Sequence, residues 1–229
     1  MAPVILIAGL LLLVALFGPQ LWVQRVMRRY SQPLDHLPGT GGELARHLLD
    51  RFRLQHVTVE PTDTGDHYDP QARAVRLSPE NLNNRSLTAV AVATHEVGHA
   101  IQHALGERSF HWRGRMVVLA NWAQKASVMA MIAIPFITLL TRAPVGGALM
   151  FLLALLAMGT AALTHLITLP VEWDASFGKA LPFLQACRYF DEQELGAVRS
   201  ILRAAAFTYV AASLASLLNL GRWLVILRR

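Results

Sequence analysis

A single cysteine, Cys187, occurs in 229 residues, so no intramolecular disulfide can form. A small disulfide-built scaffold is excluded, and a reducing compartment fits. No local motif around Cys187 marks it as a nucleophile. Charge is scarce as well: Asp, Glu, Lys and Arg make up 16% of the chain, against about 25% in ordinary soluble domains. Hydrophobic residues reach 54%, which excludes intrinsic disorder. Acidic residues are the scarcer sign, 15 against 21 basic ones, giving a net charge of +6. No basic segment is interleaved with aromatic residues in the manner of a nucleic-acid surface, so nucleic acid is not expected as a partner. Internal repeats and low-complexity segments are absent too.

The apolar residues are concentrated in stretches without charge. Val4–Val23 runs for 20 residues, Ala126–Thr141 for 16, Ala143–Val171 for 29 and Ala204–Gly221 for 18. About 20 apolar residues cross a bilayer as a helix. The expected fold class is therefore mainly α and integral to a membrane, with about four transmembrane helices and a small cytoplasmic α+β domain. The first helix lacks a basic segment before it, and bulky Leu21 and Trp22 follow Gly18-Pro19-Gln20. It reads as an anchor rather than a cleaved signal peptide. Arg25, Arg28 and Arg29 directly follow it, which puts the next segment on the cytoplasmic side of a bacterial inner membrane. The expected division is an anchor at 1–24, a catalytic region at 25–115, a transmembrane hairpin at 116–170, a cytoplasmic helical segment at 171–203 and a last membrane helix at 204–229.

Within 25–115, local chemistry predicts the elements. Thr40-Gly-Gly-Glu43 has capping-box spacing and opens a helix to about Arg53, with Leu44, Leu48, Leu49 and Phe52 on one face. Val57–Glu60 alternates as a short strand, Thr62–Pro70 reads as a turn-rich loop, and Ala72–Ser78 reads as a second strand. Ser86 caps a long helix, about 86–105, with Gly106 at its stop. The half of that helix before His95 is apolar all round, the mark of a helix buried from every side.

That helix carries His95-Glu96-Val97-Gly98-His99. Residues four apart share a helix face, so His95 and His99 project toward one point. Two imidazoles so placed suit a tetrahedral Zn2+, with Glu96 near enough to act as general base on its water. Desolvating two His and a Glu in such a helix is costly unless something compensates it. A third ligand is required. His103 lies eight residues from His95, about 12 Å by helix rise, too far to share one ion. Glu172, in Leu169-Pro-Val-Glu-Trp-Asp-Ala-Ser176, is the better candidate. It follows a membrane helix where Pro170 can start a new one. Two crossings between His99 and Glu172 return the chain to the same side. Asp174 is about 200° round the helix from Glu172, which argues against a shared ion. Ser176, on the Glu172 face, can hydrogen-bond a ligand.

With these residues in place, the sequence resembles the YugP-type neutral zinc metallopeptidases of bacterial membranes. The resemblance covers nearly the whole chain and is strongest at Asp66-His-Tyr-Asp-Pro70, Arg76-Leu-Ser78, Val92–His103 and Leu169–Ser176. It implies a zincin-like catalytic region, zinc on His95, His99 and Glu172, and Glu96 on the water, acting on a peptide or protein substrate beside a lipid bilayer. Related membrane enzymes usually carry an Asp four residues after the ligand Glu, where this chain has Ser176.

Two rival readings are an intramembrane protease and a scaffold that keeps zinc for stability. The former would want an Asp-containing motif within a later membrane helix, and Ala143–Val171 has none. Asp66, His67 and Asp69 read either as turn chemistry or as a second metal site. His165 reads as interfacial or packing, with Pro170 between it and Glu172. Ala72–Ser78 is either a purely structural strand or an edge on which a peptide adds as another strand. His67, Tyr68, His103 and His111 are open candidates for stabilising an oxyanion.

Overall fold

The structure, a computed structural model, describes residues 14, 18–141, 145–187 and 189–227. The chain is mostly helical with one small sheet. A helical segment over 18–29 (α1) precedes α2 (Gly41–Arg51), β1 (Thr58–Pro61), β2 (His67–Asp69), β3 (Ala74–Leu77), α3 (Pro79–Asn83) and α4 (Leu87–Ala104). Then come α5 (Arg108–Thr141), α6 (Val145–Trp173), a π-helical segment (Asp174–Ala180), α7 (Leu181–Ala186) and α8 (Glu192–Leu227).

The caps form as their residues dictate. Thr40 Oγ1 accepts the Glu43 N–H at 3.2 Å, and Glu43 Oε2 accepts the Thr40 N–H at 2.7 Å. Ser86 Oγ accepts the Ala89 N–H, and Gly106 takes a φ of +65° where α4 stops. α4 is the axis of the fold. Ala93, Val97 and Ala100 face a core with Leu48 and Leu49 of α2 and Val75 and Leu77 of β3. Leu87, Val90 and Ala91 face a second core with Val23 and Val26 of α1 and Val198, Ile201 and Leu202 of α8. Packing against both cores, with Thr88, Ala89 and Thr94 buried as well, leaves the first turns no exposed face.

The four-span integral membrane fold is corrected. Among the described residues, no helix is long and apolar enough to cross a membrane. Two of the uncharged runs are parts of longer helices whose other turns carry charge and build the domain. Ala126–Thr141 ends α5, which also carries Arg108, Arg113, Arg115 and Lys125. Ala204–Gly221 continues α8 after Glu192, Glu194, Arg199 and Arg203. α6 ends in buried Val171 and Glu172. Most of Val4–Val23 lies outside the described residues. The return of the chain to the His95 helix comes instead from antiparallel packing of α5 and α6, where Thr164 Oγ1 of α6 donates to the Met116 carbonyl of α5.

Three local expectations also change. Ala74–Leu77 is not an edge: the sheet order is β1-β3-β2, with β1 parallel and β2 antiparallel to β3. Part of the expected loop forms β2, whose Tyr68 turns inward. Pro170 does not start a helix but sits inside α6. Its fixed φ is helical, and it forfeits one hydrogen bond while the buried neighbours hold the helix. After Trp173 the helix widens to π geometry, with the Leu181 N–H donating to the Ser176 carbonyl.

Candidate metal centre

α4 supplies both histidines, one turn apart, with ring centroids 4.7 Å apart. α6 brings Glu172 to them. Glu172 Oε2 lies 3.1 Å from His95 Nε2 and 3.4 Å from His99 Nε2. One ligand atom from each residue lies within 4.8 Å of the others. Zinc bonds of about 2.0–2.2 Å place the donors of a tetrahedron about 3.3–3.6 Å apart. The donor chemistry and the spacing both fit zinc. The other oxygen, Glu172 Oε1, is buried without a hydrogen-bond partner and faces away from the two imidazoles toward Arg113. Glu172 is 1% exposed. Burial works against its charge, but the imidazoles of His95 and His99 beside it more than offset this and hold its carboxyl far below the usual range. Burial likewise opposes charge on His95, yet Glu172 and Glu96 outweigh it and the net shift is upward.

The outer ring nitrogens are also held. Ser176 Oγ lies 3.1 Å from His95 Nδ1, as the shared face with Glu172 predicts. Gln102 Nε2 donates to the Val171 carbonyl at 2.9 Å and to Asp174 Oδ2 at 2.8 Å. Its Oε1 therefore faces His99 Nδ1 at 2.8 Å and accepts that N–H, which leaves the Nε2 lone pair for a metal. Asp174 stays off the triad and pairs with Lys179, which also reaches Glu107 at 2.8 Å. Burial opposes the Asp174 charge, and Lys179 and Gln102 overcome it, so its pKa falls.

Glu96, 7% exposed, lines a cavity of about 310 Å³ together with His95, Glu172 and Ser176. The rest of the wall is largely apolar, with Val23 and Met27 from α1, Val92 from α4, and Ile201, Leu202 and Ala206 from α8. No local pattern in the sequence indicates that α1 and α8 enclose this space.

Asp66 also lines this cavity, while the other candidates fall elsewhere. Asp66 accepts from the Ser78 N–H, the Ser78 hydroxyl and Asn81, tying the loop to α3. Asp69 accepts from the Gln71 and Ala72 N–H groups and pairs with Arg76 at 2.7 Å. Their oxygens serve turn chemistry, and His67 Nδ1 lies 2.8 Å from the Gly65 carbonyl. His103 Nδ1 lies 2.9 Å from the Tyr68 hydroxyl, with its ring stacked on Phe110; His111 packs edge-on against it. His165 is half-buried on α6. Sequence reasoning missed Gln102 and Arg113. A Gln three residues after His99, at helical spacing, was a readable signal; nothing in the sequence pointed to Arg113, whose Nη2 lies 3.0 Å from Glu172 Oε1.

Gly98 explains how Ser176 comes so close. A Cβ there would lie 2.9 Å from the Ala175 carbonyl oxygen, so α4 meets the π segment backbone to backbone. Gly98→Ala is expected to destabilise the fold by about 1–3 kcal/mol and to weaken metal binding by displacing Ser176 from His95. A urea midpoint and a zinc titration check this; an unchanged midpoint would remove the close-approach argument.

The family described as "Putative neutral zinc metallopeptidase" matches residues 4–228. The chain is 35% identical over 226 residues, 94% of each chain, to "Putative membrane protease YugP" of Bacillus subtilis (strain 168). No solved structure matches. A match spanning nearly the whole chain, with His95, His99 and Glu172 converging inside it, places the chain in this family of zinc metallopeptidases.

Proposed function

We propose that this chain hydrolyses peptide bonds, with His95, His99 and Glu172 holding zinc and Glu96 acting as general base. The observation that carries this reading is the convergence of two Nε2 atoms and one carboxylate oxygen at a cavity that Glu96 also lines. Zinc held by these residues would supply an acidified water, with a pKa of about 7, and polarisation of the scissile carbonyl. Glu96 takes the proton from the attacking water and passes it to the leaving amine. Ser176 and Gln102 fix the two imidazoles, so neither ring reorganises during the reaction. Gln102, Asp174 and Lys179 form a continuous hydrogen-bonded chain that ties His99 to the π segment. The apolar cavity wall restricts water around the reacting carbonyl. The test uses purified, zinc-loaded protein, a peptide library and mass spectrometry in H2(18)O. New C-termini carrying one 18O, lost on chelation and restored by zinc, are expected. A protein that keeps its zinc and cleaves nothing would support the scaffold reading instead.

We also propose that the protein works at a membrane, as the name of its Bacillus subtilis relative says of that protein. α5 and α6 expose Trp112, Val118, Trp122, Phe136, Leu152 and Leu156. Arg115 lies over the Trp112 ring and Lys125 over the Trp122 ring. Apolar surface fringed by aromatic rings and cations suits a lipid interface. Arg25, Arg28 and Arg29 suit the anionic inner leaflet, which favours a cytoplasmic site. A cysteine at Gln71, in a Cys187→Ser background, is then expected to resist an impermeant thiol reagent in intact bacterial cells and to react after lysis. Reaction without lysis would reverse the sidedness.

A further inference from the structure

We propose that Arg113 is a positioning residue for the metal centre, holding one oxygen of Glu172 so that the other meets the metal alone. The proposal rests on the ligand set given above and concerns what keeps that set in place. The two oxygens of Glu172 have different surroundings. Oε2 faces His95 Nε2 and His99 Nε2 at 3.1 and 3.4 Å. Oε1 faces Arg113 Nη2 at 3.0 Å, an ion pair not aligned as a hydrogen bond, and has no hydrogen-bond partner. The carboxylate is 1% exposed, so water does not take the place of Arg113.

The chemistry of the pair gives Arg113 a task beyond charge balance. A carboxylate with both oxygens free binds a cation through one or both. A guanidinium on one oxygen leaves the other as a single donor, which keeps a tetrahedral site from gaining an extra ligand. Arg113 also joins a third element to the centre: the histidines come from α4, Glu172 from α6, and Arg113 from the second turn of α5. Lys179, the other cation close by, pairs with Asp174 and Glu107 and not with Glu172.

The test is the zinc dissociation constant, measured by competition with a chromophoric chelator, together with the visible spectrum of the Co2+-loaded protein. Arg113→Ala is expected to weaken zinc about 10–100-fold, the usual cost of losing a partner behind a ligand. Arg113→Lys is expected to recover part of the loss. Arg115→Ala, which alters a cation over Trp112 on the same helix, is expected to bind zinc as the parent does. The Co2+ bands of Arg113→Ala are expected to weaken as the freed carboxylate adds a second oxygen. In a Glu172→Gln background, titrated at higher zinc, Arg113→Ala is expected to have no further effect. If Arg113→Ala does not fold by circular dichroism, Arg113→Lys carries the same comparison in both backgrounds. An affinity within twofold of the parent with unchanged Co2+ bands, or an equal loss in both backgrounds, would overturn the proposal and leave an ordinary ion pair. Parent protein that binds no zinc would instead overturn the ligand assignment, before any substrate is added.

Discussion

Glu172→Gln is expected to fold as the parent does and to lose most of its zinc, while Asp174→Asn keeps it. Glu172 Oε2 is the one oxygen among the three converging donors, and an amide oxygen is a far weaker ligand than a carboxylate. The substitution preserves shape, so the fold has no cavity to fill. It also removes the negative charge that Arg113 faces at 3.0 Å. The loss should exceed the 10–100-fold typical of an outer partner. Asp174 is such an outer partner: it contacts Gln102 and Lys179, and Gln102 in turn contacts His99. Its loss should therefore stay within about that range. Elemental analysis after gel filtration in limiting zinc separates the two variants. Equal zinc in the parent and Glu172→Gln would sink the assignment.

Glu96→Gln is expected to keep its zinc and its fold and to lose peptide hydrolysis by about 10²–10⁴-fold. Glu96 follows His95 directly, so its side chain leaves the helix about 100° round from the ligand face, outside the triad yet within the same cavity. A carboxylate that is 7% exposed costs several kcal/mol to desolvate, and a zinc that only stabilised the fold would gain nothing from it. The comparison needs both proteins loaded to the same zinc content and assayed on one substrate. Undiminished cleavage by the variant would remove Glu96 from the proton path.

Features governed by neighbouring residues were legible in the sequence. Thr40 with Glu43, and Ser86 with Ala89, cap their helices because those groups are within three residues of each other. The buried first half of α4 was readable from its unbroken apolar run, and the His95–His99 pair from helical spacing. Glu172 and Ser176 followed from the same helical logic, although the reasoning that returned them to α4 invoked two membrane crossings. The structure achieves the return by packing α6 on α5 and carrying α6 into the π segment beside Gly98. Charge-free runs were misleading because α5 and α8 extend past them into charged turns that belong to the domain. β2 is three residues long and contains His67 and Asp69, too short and polar for alternation to register. The central place of β3 depends on pairing with strands on both sides, which no local pattern encodes. Arg113 and Lys179 are placed by tertiary contacts alone, and their surroundings in the sequence are those of ordinary surface cations.

Zinc K-edge X-ray absorption on the loaded, full-length protein tests the central claim most directly, because it reads the ligands without any assumption about substrate. The account predicts one zinc per chain, with two imidazole nitrogens and oxygen donors at about 2.0–2.2 Å, and loss of the imidazole scattering in a His95→Ala, His99→Ala variant. Sulfur scattering at about 2.3 Å, which only Cys187 or a methionine could supply, or an unchanged spectrum in that variant, would contradict it.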